Sequence, residues 1–362
     1  MTKYYNLKNI LKKDAHYNMI IGERSNGKTY SCLLYGLERY CKYNEEIAII
    51  RRWSEDITGK RASVLFNALI ENGIVDKLTK HKWDNIYYYG GKWYLCRYED
   101  DKRICDAKPF CYGFAISQYE HDKSTSYPNI TTIIFDEFLT RNVYLRDEFI
   151  SFMNTISTII RQRDNVKIFM LGNTVSKYCP YFSEMGLNNI PKMAQGEIDV
   201  YTYGDSNLKV AVEYCASSDV RMKKSNIYFA FNNPKLNMIK NGIWEFDIYP
   251  HCAYKYKHKD IIYIYMIEFD GNTLQCEIIN TENVLFTFIH RKTTPIRLES
   301  CLIYSTAPRP EYYRRMFINK PVTELEKKIF SFFLSKNVYY QDNEIGDIVN
   351  NYLKWCKINS GV

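Results

Sequence analysis

The fold is decided by the stretch Gly22-Glu23-Arg24-Ser25-Asn26-Gly27-Lys28-Thr29. It matches the pattern G-x-x-x-x-G-K-[ST] at every fixed position. The apolar residues 17–21 in front of it predict a short buried strand, and residues 30–37 behind it predict the start of a helix. A strand, a glycine-containing loop and a helix in this order are the setting that such a phosphate-binding loop requires.

Each fixed position of this loop has a chemical reason. Gly22 and Gly27 let the backbone curl so that its N–H groups point inward at phosphate oxygens, and the helix that follows adds its positive N-terminus. Lys28 supplies a charge for the β- and γ-phosphates, and Thr29 supplies a hydroxyl for Mg²⁺. The predicted nucleotide-binding residues are Gly22, Arg24, Ser25, Asn26, Gly27, Lys28 and Thr29.

A second chemical signal lies at residues 129–138, where an apolar run is followed by Asp136 and Glu137. A fully buried strand cannot keep charges in its interior, so the two acids belong at its carboxyl end. In a doubly wound sheet that end lies beside the phosphate-binding loop. We expect Asp136 to hold Mg²⁺ and Glu137 to polarise the water that attacks the γ-phosphate.

Two further predicted strands end in polar residues. Residues 46–50 are followed by Arg51 and Arg52, which either face phosphates or a neighbouring subunit or form a solvated strand end. Residues 166–172 are followed by Asn173, which either senses the γ-phosphate or caps the next turn.

Composition narrows the class of protein. The 362 residues suggest about two or three domains, and a net charge of +8 permits a nucleic-acid partner without proving one. The eleven cysteines are odd in number and contain no C-x-x-C pair, which favours reduced thiols over a zinc site or a disulfide framework. The sequence has no signal-peptide core and no apolar run near the ~20 residues that span a bilayer. These features predict a soluble intracellular protein.

Taken together, the motifs resemble those of the DNA-packaging ATPases, or encapsidation proteins, of small podoviruses of the phi-29 type. The resemblance is dense over residues 17–185 and weaker beyond them. The phosphate-binding loop and the Asp-Glu strand are common to many nucleotide hydrolases. The motifs that narrow the family are Tyr127-Pro128-Asn129, Arg161-Gln162-Arg163 and Pro180-Tyr181-Phe182.

This resemblance implies a fold and a biological role. The fold would be an additional-strand α/β P-loop NTPase with a doubly wound, mostly parallel sheet. The role would be that of one subunit in a ring, usually of five, which hydrolyses ATP with Mg²⁺ and drives double-stranded DNA through the portal of an empty phage head. The best-known relatives use a packaging RNA as a scaffold. Such a protein would act in the host cytoplasm, transiently attached to the procapsid and away from membranes.

The resemblance also implies residue roles. Arg24 matches a basic residue that packaging ATPases favour inside the loop. Arg161 aligns with an arginine finger that reaches the neighbouring subunit's nucleotide, with Arg163 as the fallback, and Lys123 aligns with a basic residue thought to act across the same interface. Asn173 falls in the motif that couples hydrolysis to movement. From the residues alone, Arg161 is equally well a surface cation near a helix C-terminus.

The predicted domains are an ATPase domain over residues 1–205, a lid or linker over 206–254 and an α+β domain over 255–362. In the last of these, the pattern predicts a hairpin over 261–280, strands over 284–290 and 301–305, and helices at about 310–318, 322–335 and 343–357. This arrangement resembles the ribonuclease-H-like nuclease domain of large packaging proteins.

In active nucleases of that type, clustered carboxylates bind two metal ions. The acids at comparable places here are Glu268, Asp270, Asp342, Glu344 and Asp347, and their placement does not suggest such a cluster. We expect a domain without nuclease activity that binds nucleic acid or the portal. Its candidate residues for contact with a nucleic-acid phosphate backbone are Arg291, Lys292, Arg309, Arg314 and Arg315.

Two alternatives differ in function. One is a large-terminase type of protein with a working two-metal nuclease that also cuts DNA. The other is a nucleotide-binding structural component of the virion that never turns over ATP.

Overall fold

The computed structural model describes residues 4–118, 126–141, 144–177, 179–216, 238, 241–245, 247–282, 284–294, 301–306 and 314–361. The chain forms two compact units. The first comprises residues 1–141 and 147–245, and the second comprises residues 142–146 and 246–362.

The first unit alternates strands and helices. Its helices are α1 (Lys8–Leu11), α2 (Lys28–Tyr43), α3 (Gly59–Ser63), α4 (Asn67–Glu71), α5 (Ile74–Leu78), α6 (Glu148–Ile160) and α7 (Pro180–Glu184). Its strands are β1 (Tyr17–Gly22), β2 (Glu46–Arg51), β3 (Asn85–Tyr89), β4 (Lys92–Glu99), β5 (Lys102–Cys105), β6 (Cys111–Ala115), β7 (Ile130–Asp136), β8 (Lys167–Asn173), β9 (Ile198–Tyr203) and β10 (Leu208–Tyr214). Short 3-10 helices cover Ser54–Asp56, Ile190–Lys192 and Gly204–Ser206.

One large sheet organises this unit. Its strand order is β3-β4-β6-β2-β7-β8-β1-β10-β9, with β5 paired to β4. Six neighbouring strands run parallel to one another: β6, β2, β7, β8, β1 and β10. The strands β3 to β5 and the edge strand β9 pair antiparallel with their neighbours. The predicted mostly parallel sheet is therefore confirmed. Strand β8 lies between β1 and β7, so one additional strand separates the phosphate-binding loop from the Asp-Glu strand.

The central strands are buried on both faces, which is why they read as unbroken apolar runs. On one face Ile134 of β7 belongs to a core that includes Leu33 and Leu37 of α2. On the other face its neighbour Phe135 stacks on Phe152 of α6, with ring centroids 5.0 Å apart. Helices therefore cover both sides of the sheet, and the carboxyl ends of the strands are held at one edge.

The second unit is built on a smaller sheet. It contains the strands β11 (Ile261–Phe269), β12 (Asn272–Asn280), β13 (Leu285–Arg291), β14 (Ile303–Ser305), β15 (Arg314–Arg315) and β16 (Val338–Tyr340), a 3-10 helix (His258–Asp260), and the helices α8 (Glu324–Leu334) and α9 (Asn343–Asn359). The strand order is β15-β14-β11-β12-β13-β16. Strands β11 to β13 form an antiparallel meander, and β14 and β15 add to β11 in parallel.

Two sequence expectations differ from the structure. Residues 208–214 were expected in a lid or linker, but they form β10, which pairs in parallel with β1 inside the main sheet. Their apolar side chains are buried there. Residues 314 and 315 were expected in a helix, but they form the edge strand β15. The rest of the three-domain division stays a prediction.

Candidate active site

A polar cavity lies where β1, β7 and β8 end. The strand register places Gly22 opposite Asn173 and Asp136 opposite Leu171, so the ends of the three strands meet at one edge. The cavity measures about 460 Å³. It is lined by Arg24, Ser25, Asn26, Gly27, Lys28, Thr29, Tyr30, Asp136, Glu137, Leu171, Gly172 and Asn173. Every predicted loop residue except Gly22, which ends β1, lines this one space.

The Lys28 ammonium is buried and held by four oxygen atoms. It donates to the carbonyl oxygen of Glu23 at 2.6 Å and that of Gly22 at 3.4 Å, and to Oδ1 of Asn26 at 3.2 Å and of Asn173 at 3.3 Å. Burial lowers the pKa of Lys28, because the charged form loses its hydration. The contact with Asn173 joins the loop to the end of β8. This contact accounts for the position of Asn173 whether the residue senses the γ-phosphate or caps the next turn.

The loop backbone adopts conformations that suit anion binding. Ser25 and Gly27 have positive φ values of 59° and 93°, and such turns orient successive N–H groups toward one point. A Cβ atom on Gly27 would come within 3.3 Å of Tyr4. The backbone N–H of Tyr5 donates to the Asn26 carbonyl at 2.9 Å, and the Ser31 hydroxyl donates to the Tyr5 carbonyl at 2.5 Å.

Tyr4 and Tyr5 therefore pack against the outside of the loop, and Tyr5 hydrogen-bonds to its backbone. These two residues belong to none of the sequence motifs named above. Because the chain has 33 tyrosines, the presence of two adjacent ones does not by itself indicate a function.

Thr29 and Asp136 place oxygen atoms side by side. The Thr29 hydroxyl lies 3.4 Å from Oδ1 and 3.3 Å from Oδ2 of Asp136. A hydroxyl and a carboxylate oxygen are the ligands that Mg²⁺ prefers, completed by water and substrate phosphates. The donor set at this point of the cavity therefore fits the predicted metal.

Arg51 contacts both acids of the Asp-Glu pair. Its guanidinium lies 2.8 Å from Oδ2 of Asp136 and 3.0 Å from Oε2 of Glu137. Burial raises the pKa of Asp136 and the like charge of Glu137 adds to this, while Arg51 acts in the opposite direction. The sequence left open whether Arg51 faces phosphates, faces a neighbouring subunit or lies at a solvated strand end. The last of these predictions is wrong, because Arg51 pairs with two adjacent carboxylates of its own chain.

Arg52 is also buried, so the prediction of a solvated strand end is wrong for this residue as well. It forms an ion pair with Glu148 of α6 at 2.7 Å. Arg51 ends β2 and Arg52 follows it, and the two arginines have different partners. The Glu137 side chain remains 63% exposed at the mouth of the cavity.

The two arginines of the Arg161-Gln162-Arg163 motif have different environments. The guanidinium of Arg163 donates to five backbone carbonyls: those of Ile160, Pro128, Ile130, Tyr127 and Ile159, at 2.6–3.1 Å. Arg161 ends α6 with a positive φ of 42° and has an exposed side chain.

This motif lies at the edge of the sheet opposite the cavity, because Arg163 contacts the first residue of β7 whereas Asp136 is the last. A seven-residue strand spans about 23 Å. Arg161 therefore cannot serve the cavity of its own subunit. Lys123, the other predicted residue of the interface, lies outside the described residues.

The acids of the second unit are not brought together. Glu268 of β11 pairs with Arg314 of β15, and Glu344 pairs with Arg291 at 3.1 Å. The Asp342 carboxylate accepts from the Ile345 N–H and caps α9, while Asp347 accepts from the Tyr249 hydroxyl at 3.4 Å. Asp270 occupies the β11–β12 turn with a φ of 49°. The described part of the chain contains no group of three or more acidic, histidine or cysteine residues that could hold a metal ion.

The candidate DNA contacts of this unit are partly engaged. Arg291 donates to Asn272 at 2.7 Å as well as pairing with Glu344. Arg315 pairs with Glu326 at 2.9 Å. Lys292 is half-buried, and Arg309 lies outside the described residues.

Residues 1–287 match the family model described as the podovirus DNA encapsidation protein (Gp16). The chain belongs to this family. The predicted resemblance is therefore confirmed.

Curated relatives in the encapsidation family match over part of their length. The DNA packaging protein of Bacillus phage phi29 is 29% identical over 182 residues, which is 49% of this chain and 49% of that protein. The DNA packaging protein of Bacillus phage B103 is 28% identical over 182 residues, which is 49% of this chain and 50% of that protein. The aligned region thus spans about half the length of these relatives.

Solved structures share the fold over nearly the whole chain. The bacteriophage Phi-29 viral genome packaging motor assembly matches with a TM-score of 0.57 and 20% identity, covering 96% of this chain and 98% of that one. The Phi-28 gp11 DNA packaging motor matches with a TM-score of 0.53 and 19% identity, covering 99% and 97%.

Two general features complete the description. Across the described residues, no helix has the length and apolarity needed to cross a bilayer. All eleven cysteines lie in the described part, and none of them forms a disulfide.

Proposed function

We propose that this protein is the ATP-hydrolysing subunit of a phage DNA-packaging motor and drives double-stranded DNA into a preformed capsid. The observation that carries the proposal is the convergence of Lys28, Asp136 and Glu137 on one cavity, in a chain that belongs to the encapsidation family. The cavity is polar, carries a buried cation and opens to solvent at Glu137, as a site for a nucleoside triphosphate requires.

The hydrolytic chemistry follows from the residues. The loop N–H groups and Lys28 bind the β- and γ-phosphates, and Asn173 contacts the same ammonium from β8. Glu137 orients and polarises the attacking water from the cavity mouth. Thr29 and Asp136 would hold Mg²⁺, which when bound neutralises charge on the phosphate oxygens.

We propose that Arg161 completes the neighbouring subunit's site as an arginine finger. Its position at the far edge of the sheet supports action in trans, and the five carbonyl contacts of Arg163 make that residue the weaker candidate. An arrangement in which each subunit completes the next generates a ring when the rotation between subunits closes. A pentamer is the number we expect, and Lys123 remains a candidate for the same interface.

The partners follow from the family. The curated relatives are named DNA packaging proteins, and the net charge of +8 suits contact with a DNA backbone. We propose that the ring docks on the procapsid portal in the host cytoplasm and, as in the phi-29 type, uses a packaging RNA. Because the ATP-filled site would hold adjacent subunits together, hydrolysis would loosen the interface and move the DNA.

We propose that the second unit is a ribonuclease-H-like domain without nuclease activity. Its order β13-β12-β11-β14-β15, with an antiparallel meander and two parallel additions, supports that fold. The alternative, a terminase with a working two-metal nuclease, is weaker because such a site needs clustered carboxylates. Among the residues that the structure describes, there is no group of three or more acidic, histidine or cysteine residues that could hold a metal ion. Nucleic-acid or portal binding is the function that we propose instead.

The test is ATP hydrolysis by the purified protein, with and without double-stranded DNA, for wild type, Arg161→Ala, Glu137→Gln and a mixture of the two variants. We expect an active wild type, strongly reduced turnover in each variant alone, and higher turnover in the mixture, because interfaces form there with an intact finger and an intact Glu137. Asp164, three residues after Arg161, offers a control as Asp164→Ala, which should stay active.

Other results have defined meanings. A fully active Arg161→Ala protein would move the finger to Lys123 or Arg163. A fully active Glu137→Gln protein would remove the catalytic assignment. A wild type that binds ATP without hydrolysing it, even on procapsids with DNA, would favour a structural component of the virion.

A further inference from the structure

The buried Arg52 is the second arginine at the end of β2, and its guanidinium touches the backbone of the catalytic turn. Nη1 donates to the Glu137 carbonyl at 3.2 Å, and Nη2 donates to the Phe138 carbonyl at 2.8 Å. Its side chain is 7% exposed. These two bonds hold the two peptide groups that flank Phe138, and Arg52 itself does not line the cavity.

A buried carboxylate fixes the orientation of this guanidinium. Glu148, in the first turn of α6, accepts from Nε of Arg52 at 2.7 Å and from Nη2 at 2.9 Å. The same carboxylate accepts from the Tyr181 hydroxyl of α7 at 2.8 Å. Such a two-pronged pair allows one orientation of the planar guanidinium, which a lysine could not reproduce.

The backbone at Glu137 needs this support. Its φ is +64°, a left-handed conformation that a non-glycine residue rarely adopts. Conformations of this kind persist where the surroundings impose them. Arg51 contacts the Glu137 carboxylate, while Arg52 contacts the Glu137 carbonyl. The backbone from which the Glu137 carboxylate projects is therefore held by a group that does not line the cavity.

We propose that Arg52 is a positioning residue for Glu137, and that Glu148 and Tyr181 hold Arg52 in place. The inference rests on the proposed ATPase function. It has a second consequence, since Glu148 is the first residue of α6 and Arg161 is the C-cap residue that follows its last turn. The turn that carries the catalytic glutamate and the helix that carries the proposed finger are joined by one buried ion pair, so a shift of α6 at a subunit interface would move Glu137.

The mildest test is Tyr181→Phe, which removes one hydroxyl and keeps the ring that packs against Phe135 and Phe138. The matched control is Tyr17→Phe, because the Tyr17 hydroxyl also contacts α6, at Met153, but touches no member of the network. We expect Tyr181→Phe to lower kcat about three- to tenfold with an unchanged KM for ATP, and the control to match wild type.

The decisive test combines Arg52→Lys with Glu137→Gln. Arg52→Lys alone should lower kcat about 100-fold or more while the affinity for a fluorescent ATP analogue stays within about twofold, since the phosphate-binding loop is untouched. In the Glu137→Gln background the same change should have no further effect on kcat, because Arg52 acts through Glu137. A change of fold alone would instead reduce nucleotide affinity and the melting temperature in both backgrounds.

Two results would overturn the proposal while wild type hydrolyses ATP. One is an additive loss of kcat in the double variant, and the other is an equal effect of Tyr181→Phe and Tyr17→Phe. A wild type without turnover would overturn the proposed function itself, and the inference with it.

Discussion

At the scale of single residues, the proposed site separates binding from chemistry. Lys28, proposed to bind phosphate with the loop backbone, is buried, while Glu137, the proposed catalytic residue, is largely exposed at the mouth of the cavity. Arg51 contacts both acidic residues, so the two carboxylates can lie side by side without a prohibitive repulsion. Loss of one group should therefore affect one function and spare the other.

The first prediction concerns Glu137. Replacing it with Gln keeps its size and removes the base, so we expect kcat for ATP to fall about 100-fold or more with nucleotide affinity nearly unchanged. Lys28→Ala should instead abolish nucleotide binding, because the buried Lys28 cation is the proposed contact to the phosphates. Isothermal titration with a non-hydrolysable ATP analogue, beside a turnover assay, measures both. A Glu137→Gln protein that loses nucleotide binding would contradict this division of roles.

At the scale of elements, α6 links distant parts of the first unit. Its first turn is joined to the end of β2 and to the turn at Glu137 through Glu148 and Arg52, and its C-terminus is joined to the start of β7 through Arg163. Arg163 satisfies carbonyls that a helix end leaves without intrahelical partners. The two arginines of one short motif thus divide into a structural residue, Arg163, and an exposed one, Arg161.

A second prediction follows from that division. Arg163→Ala should destabilise the protein by about 2–3 kcal/mol, because several backbone carbonyls lose a charged donor. Arg161→Ala should change stability by less than about 1 kcal/mol, as exposed substitutions usually do. Urea unfolding followed by circular dichroism compares the two variants. Equal stability losses would show that the contacts of Arg163 do not matter for the fold.

A third prediction concerns the packing of α2 on β2. A Cβ atom on Gly36 would lie 2.7 Å from Cδ1 and 2.9 Å from Cγ1 of Ile47, a fully buried residue. Alanine favours helices over glycine by up to about 1 kcal/mol, but the overpacking should outweigh this and lower stability by about 1–2 kcal/mol net. Glu38→Ala, on the exposed side of the same helix, is the control. A stabilised Gly36→Ala protein would mean that Ile47 moves aside at little cost.

At the scale of the whole molecule, the two units differ in chemistry. The first brings Lys28, Asp136 and Glu137 to one cavity at the sheet edge, while the predicted acids of the second lie in separate local pairs and caps. The proposed motor and nucleic-acid functions would therefore be separated between the units.

A fourth prediction follows for the intact chain. Incubated with supercoiled plasmid and Mg²⁺ or Mn²⁺, the protein should leave the DNA uncut, because its described residues contain no cluster of carboxylates that could hold two metal ions. Gel electrophoresis beside a known metal-dependent nuclease measures this. Cleavage that disappears in an Asp270→Asn or Asp342→Asn variant would instead establish the nuclease alternative.

The sequence by itself determined the phosphate-binding loop, the strand that ends in Asp136 and Glu137, and the mostly parallel sheet. These are local patterns: a glycine loop between a strand and a helix, and apolar runs that stop at charges, have few other structural solutions. The same reasoning placed Asn173 at the cavity, since carboxyl ends of parallel strands meet at one edge.

Only the tertiary structure decided which partners the arginines have. Arg51, Arg52 and Arg163 look like interchangeable cations in the sequence, yet one contacts two carboxylates, one holds a backbone turn and one caps a helix end. Their partners lie 33 to 96 residues away along the chain for the contacts that connect different elements. The position of β10 beside β1 was hidden for the same reason. Pairing between distant segments depends on how the whole sheet is assembled, and no local pattern records it.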